Sequence, residues 1–428
     1  MIATLFLLLF LMLLFAVPVF VALSFSSLMS FSFFSNMNLM VIMQRMLGGI
    51  DKFSLISVPF FILGANVMKN GGIANRILIW VRVWVGHLRG GIAFSTEVAC
   101  MFFGAVSGSS PATVVAIGGL MYPALKRNGY HEGFATGLIT SSGSVALLIP
   151  PSISAIIYGA VTGVSVGALF MAGVGAGLLY GLFYLWYSAW YAYKNKIPQD
   201  KRTSWKERGK ATKEAAWALG IPVIIMGGIY GGIFTPTEAS GVSAVYAILV
   251  SMFIYREMDF KKLLKTCIDS AETTAQVMML LAAASAFGWI LTVGQVPQAL
   301  GNWLASANVT RVTFLLLTNV ILLIAGMFID GSSAIIIMVP LLYPLSIKLG
   351  INPVHYGVIM VANAAIGMFT PPFGMNLFVA QPITGNKMIA IIRGVMPFVL
   401  ISIIALIIIT YWSSLSLFLP RLVYGGMI

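Results

Sequence analysis

Between Phe314 and Phe328 the chain places no charged side chain, and the same holds from Val395 to Ile409. Runs of this kind recur along most of its 428 residues and lack the apolar–polar alternation of barrel strands. A bilayer offers no water to backbone N–H and C=O groups, so such runs must close their hydrogen bonds internally, as helices. The fold class is therefore an all-α polytopic membrane protein. Composition agrees: 59% of residues are apolar and 9% charged, and that balance would coat a soluble domain with greasy surface. At about 20 residues per crossing the length suffices for up to roughly a dozen spans, the size of a transporter or channel.

Several other classes are excluded. Cys100 and Cys267 stand in different segments and build no metal site with the scattered His87, His131 and His355. No G-x-x-x-x-G-K-[ST] loop occurs, so any pumping draws on an ion gradient or another subunit. The net charge of +13 is not a nucleic-acid footprint, because the basic residues are dispersed among apolar spans. Their one dense cluster, Lys194 to Lys213, reads as a cytoplasmic loop by the positive-inside rule. The first 34 residues have no basic n-region and read as a retained first transmembrane helix rather than a signal peptide.

Apolar stretches near 92–125, 134–193 and 312–346 are too long for one crossing and must fold back or break. The first has Ser107-Gly-Ser-Ser110-Pro111 at its middle, where two half-helices can meet as a hairpin. Ser109 or Ser110 is placed to cap the second half-helix, and Pro111 suits its first turn. The third stretch repeats the pattern at Gly326 to Ser333. Tyr122-Pro123 and Tyr343-Pro344 follow the two clusters, and Pro150-Pro151 and Pro371-Pro372 come 28 residues after each Tyr. That spacing marks an internal duplication with two hairpins and two proline-broken helices. Proline removes a backbone donor and frees carbonyls, which in a membrane need substitutes such as bound cations, water or hydroxyls.

The paired unwound segments suit two Na⁺ sites built from carbonyls and hydroxyls. The first draws on Gly104, Ser107, Gly108, Ser109, Gly143, Val145 and Ile149; the second on Gly326, Ser332, Asn363, Gly367, Thr370 and Phe373. Half-helix N-termini beyond Ser110 and Ser333 point positive dipole ends at the same centre, which favours a carboxylate substrate. Asp330, the only acidic residue after Thr273, is either the cap of its half-helix or a partner for ion or substrate. Glu97 lies in an apolar stretch with no basic residue nearby in sequence, and no role follows for it. Thr235-Pro-Thr-Glu238 reads as a capping box. Catalysis within the membrane would need a paired acid and base, and the chain offers isolated carboxyls, so it is not an enzyme.

Val58-Pro-Phe-Phe-Ile-Leu-Gly64, Gly71-Gly-Ile-Ala-Asn-Arg76, Gly86-His-Leu-Arg-Gly-Gly91, Phe103 to Ser110, Ile149-Pro-Pro-Ser152, Thr235 to Glu238 and Thr370-Pro-Pro-Phe-Gly-Met-Asn-Leu377 occur in this order. Together they resemble the large membrane subunit of tripartite ATP-independent periplasmic (TRAP) transporters, over nearly the whole chain. The resemblance implies an inverted-repeat elevator fold in a bacterial inner membrane. It implies scaffold helices in 1–90, a first transport repeat in 91–165, and central scaffold helices in 166–311 carrying the basic loop 194–213. A second transport repeat in 312–385 and a C-terminal helix in 386–428 would complete the chain. Implied partners are a small four-helix membrane subunit, a periplasmic substrate-binding protein and an organic anion of sialic-acid or C4-dicarboxylate type. The substrate would lie beside Ser109, Ser110, Ser152, Ser154, Asp330 and Asn376. A self-sufficient Na⁺/dicarboxylate symporter of similar architecture is the alternative.

Overall fold

The computed structural model describes residues 1–35, 38–199 and 202–425. Among them the regular secondary structure is entirely helical, and seven helices are long and apolar enough to cross a membrane. Large apolar side chains such as Leu14, Leu182, Trp186 and Leu400 remain exposed on the outer faces. A lipid environment accepts these without cost, whereas water would not.

One group of helices forms around Phe260–Val293, a 34-residue helix packed against Ser57–Asn70, Met40–Ile50 and Val19–Phe34. Polar side chains pin this packing at intervals. Asn66 Nδ2 donates to Ser270 Oγ at 2.9 Å and Asn70 Nδ2 to Thr266 Oγ1 at 3.0 Å. At the same end Arg76 pairs with Glu257 at 2.6 Å and stacks on Tyr255. Arg208 lies between the rings of Trp84 and Trp205, 5.4 and 5.1 Å from their centroids. Aromatic and basic residues gather in this way where a membrane meets water.

Three sequence expectations need correction. The first 34 residues form two helices, Ile2–Leu14 and Val19–Phe34, packed on each other. Pro18 cannot continue the first helix, and Ala16 turns the chain at φ +56°. The region 386–428 is likewise two helices, Met388–Tyr411 and Ser413–Tyr424, parted at Trp412. The basic segment 194–213 is a loop only in part: helices end at Lys194 and restart at Trp205, so Lys206, Arg208, Lys210 and Lys213 are helical. Lys201 lies outside the described residues. The restart is a capping box, with Ser204 and Glu207 exchanging bonds, and the expected box of Thr235 and Glu238 forms as well.

The stretches too long for one crossing break as the small residues and prolines require. In the first half, Gly91–Ser107 ends at Gly108, whose φ of +57° favours glycine, and Ser110–Thr113 opens a helical path that runs through a π turn to Arg127. Glu132–Ser142 then gives way to a 3₁₀ turn, passes Pro150-Pro151, and resumes at Ile153–Thr162. In the second half, Arg311–Phe328 meets Gly331–Lys348 at Asp330, and Pro353–Gly367 breaks before Met375–Thr384. Both Pro-Pro bonds are cis.

Candidate functional site

The duplication recurs as matched contacts. A Cβ built on Gly104 would meet Ala146 Cα at 2.6 Å, and one built on Gly326 would meet Gly367 Cα at 2.8 Å. Ala146 and Gly367 each stand four residues before a Pro-Pro pair. In both halves, then, the first arm of the hairpin lies almost backbone to backbone on the broken helix, and only a residue without a side chain permits that approach. The helices carrying the breaks also start alike. His131 Nδ1 accepts from Gly133 N, and Asn352 Oδ1 from Val354 N and His355 N.

At the first tip Ser107 Oγ bonds Thr113 Oγ1 at 3.0 Å, and Thr113 Oγ1 donates back to Ser109 O at 2.8 Å. The expected serine cap is not made: Ser109 holds the N-cap position without a side-chain bond, and Ser110 Oγ instead accepts from Asn376 Nδ2 at 2.7 Å. The Thr113 hydroxyl, by returning its hydrogen bond to the tip, takes the bracing role a cap would have had. At the second tip Asp330 is the cap, accepting from Ser332 N at 3.0 Å and Ser333 N at 3.1 Å, with the Ser333 hydroxyl donating to its other oxygen. Gly331 N is taken up by Met368 Sδ at 3.3 Å. The second tip thus consumes its helix-start donors with a carboxylate, while at the first Ser107 Oγ accepts from Ser109 N at 3.3 Å and Ser109 O from Thr113 N.

Both tips open onto one cleft of about 420 Å³. Ser107, Gly108, Ser109 and Ser110 line it from the first hairpin and Asp330, Gly331 and Ser332 from the second, with Ser154, Met368 and Met375 from the broken helices. Asn66 of Ser57–Asn70 and Thr273 and Gln276 of Phe260–Val293 complete its wall. These three were not anticipated; the available signal was a polar side chain inside an otherwise apolar helix.

The remaining anticipated residues fall nearby but in different circumstances. Ser152 is buried and occupied in capping Ile153–Thr162 through Ala155 N at 3.2 Å. Asn376 is buried behind the first tip, donating also to Thr140 O at 3.0 Å. Ser154 Oγ is buried and has no hydrogen-bond partner. Of the first cation set, Gly143 nests under Ser110 O, a built Cβ lying 2.9 Å away, and Val145 O already accepts from Leu148 N and Ile149 N. Of the second, Asn363 Nδ2 donates to Asn319 Oδ1 at 2.8 Å and leaves its own Oδ1 unpartnered. Thr370 Oγ1 returns to Ile366 O at 2.7 Å, and its carbonyl accepts from Gly374 N. The Phe373 ring is turned outward against Phe328.

Two solved structures share the architecture. The Alcanivorax borkumensis YdaH transporter has a TM-score of 0.55 at 14% identity, covering 87% of this chain and 88% of its own. Neisseria gonorrhoeae MtrF, described as an antimetabolite efflux pump, reaches 0.58 at 11% identity, with 87% and 83% covered. At such identities the likeness is one of fold. Sequence decides the family: residues 6–415 match the DctM component of the tripartite ATP-independent periplasmic transporters. The chain belongs to that family.

Its DctM-family relatives are close. The C4-dicarboxylate TRAP transporter large permease protein DctM of Pseudomonas aeruginosa is 42% identical, with 87% of both chains covered. The protein of the same name in Vibrio cholerae is 40% identical over 99% of this chain and 98% of its own. The V. cholerae sialic acid TRAP transporter large permease protein SiaM is 36% identical, with 89% and 90% covered. This DctM-family chain is accordingly a large-permease transport subunit, not an enzyme, and a multi-pass protein of the inner membrane. Membership in a three-component family sets aside the self-sufficient symporter considered above.

Proposed function

We propose that the chain carries an organic anion across the inner membrane together with Na⁺, the two hairpins and two broken helices sliding as one block against the scaffold. In this reading the hairpins are re-entrant and the motion is an elevator. The observation that carries it is the meeting of both hairpin tips on a single cleft whose wall Ser57–Asn70 and Phe260–Val293 complete.

Each half offers a cation a helix break, a hydroxyl and a close glycine contact between two segments. The first tip, which lines the cleft with hydroxyls and no acidic side chain, is the better place for a carboxylate. Asp330, an acidic side chain half-buried on the same cleft, suits a cation or a substrate hydroxyl. The relatives' names span C4-dicarboxylates and sialic acid, and the substrate is drawn from that range of organic acids. Substrate would arrive from a periplasmic binding protein, with a small four-helix membrane subunit completing the complex.

Uptake into proteoliposomes containing the complete transporter tests this. Replacing external Na⁺ by choline is expected to abolish accumulation of the substrate, and accumulation unchanged in choline would remove the coupling.

A further inference from the structure

The first half carries a buried acid where the second carries an amide. Glu97 precedes Gly104 by seven residues, as Asn319 precedes Gly326, and Ser142 precedes its Pro-Pro pair by eight, as Asn363 does. Glu97 and Ser142 therefore occupy the repeat positions of Asn319 and Asn363, on a hairpin arm and the helix it touches. In the second half the two side chains bond each other directly: Asn363 Nδ2 donates to Asn319 Oδ1 at 2.8 Å and Asn319 Nδ2 donates to Thr410 Oγ1 at 3.0 Å. Asn319 thus presents one acceptor and one donor.

Glu97 is fully buried, and neither of its carboxyl oxygens has a hydrogen-bond partner. The Ser142 hydroxyl is the side-chain polar group that faces it and has no other partner. The other titratable groups in its field are Cys100 on its own helix and the phenols of Tyr180 and Tyr184, which are engaged by Ser144 and Ser402. Among the described residues no salt bridge reaches it, and on the flanking helices Ile73–Val85 and Trp205–Pro222 Arg76 is held by Glu257 and Arg208 by Trp84 and Trp205. A methyl group built on Gly181 would stand 3.6 Å from Glu97 Oε1 and 2.8 Å from Met101 Sδ.

A carboxyl that keeps its proton offers one donor and one acceptor, as an amide does, whereas an ionised carboxylate offers acceptors alone and is costly at such depth. We infer that Glu97 is a proton-binding site of the first repeat, a carboxyl that bears a dissociable proton where Asn319 bears a fixed amide. Proton occupancy then governs how firmly the first hairpin arm seats on its broken helix, a control that the Asn319–Asn363 pair of the second half lacks. This inference rests on the repeat geometry and is independent of sodium coupling.

Infrared spectroscopy of the purified protein near neutral pH reads the state directly. A protonated-carboxyl C=O stretch is expected in the native protein, shifted in Glu97→Asp and absent in Glu97→Gln. In proteoliposomes holding the complete transporter with Na⁺ fixed, native uptake is expected to fall severalfold along an alkaline pH series, with Glu97→Gln flat over the same range. A native spectrum without that stretch overturns the inference even if no variant folds. A stretch that persists in Glu97→Gln, or that Na⁺ abolishes in the native protein, overturns it too, the latter making Glu97 a metal ligand.

Discussion

Asn363 on the second broken helix donates to Asn319 on the second hairpin arm across 2.8 Å, with both side chains buried. This bond, continued from Asn319 to Thr410, links three helices through polar atoms alone. Asn319→Leu would leave the Asn363 amide with only Ile359 O to receive it. An orphaned buried donor costs about 1–3 kcal/mol. Thermal melting of the solubilised protein should fall accordingly, and a melt unchanged from the native one would mean the network contributes nothing.

Gly326→Ala should be worse tolerated than its size suggests. The added methyl would lie 2.8 Å from Gly367 Cα, a backbone atom that cannot rotate aside. Overpacking of this kind costs about 1–3 kcal/mol, and the displaced hairpin should also slow uptake. Gly119→Ala is the control, since nothing lies within 4 Å of a Cβ there; it should gain up to about 1 kcal/mol from helix propensity. Equal melting temperatures for the two variants would contradict the close-approach account.

Asp330→Asn separates two roles of one side chain. Asparagine caps a helix as well as aspartate does, so the bonds from Ser332 N and Ser333 N should survive and the fold with them. If the charge holds a cation or a substrate hydroxyl, uptake should drop at least tenfold while melting barely moves. Uptake at the native rate would leave Asp330 as a cap only. Asp330→Ala should lose about 1 kcal/mol of stability in addition.

Glu207, outside the spanning helices, gives a pH prediction whose sign is fixed. The Ser204 backbone N–H, and then its hydroxyl, hold the Glu207 carboxyl below the ordinary carboxylate range. A carboxyl held low stabilises the fold above its unfolded value, about 4.3, and loses that contribution as pH falls through the lowered value. Hydrogen exchange at Trp205 to Arg208 should therefore be faster in Glu207→Gln than in the native protein at neutral pH, the two converging in acid. A constant difference across pH would rule out the charged capping bond.

Helix breaks and the duplication were legible in the sequence because small residues and Pro-Pro pairs leave few backbone options inside a bilayer. Their matched spacing set Tyr122-Pro123 opposite Tyr343-Pro344 and Pro150-Pro151 opposite Pro371-Pro372. The break after Leu14 was less visible, since the apolar run continues through Pro18 without interruption and hydropathy does not register one missing N–H. Side-chain allegiance was least legible. Nothing local tells that Asn376 would turn to Ser110, or that Asn66 and Gln276 would line one cleft with the tips, because those contacts join residues far apart in the chain. Glu97 showed itself only as an anomaly until the repeat positions supplied Asn319 as its comparison.

The touching backbones of Gly326 and Gly367 bear on mechanics as well as packing. Two main chains with nothing compressible between them have a single permitted separation, so that half of the molecule has little give. A push delivered at the Asp330 tip would be handed on to the neighbouring helix with its direction kept, as through a rigid strut, and any bending would be displaced to the joints at either end.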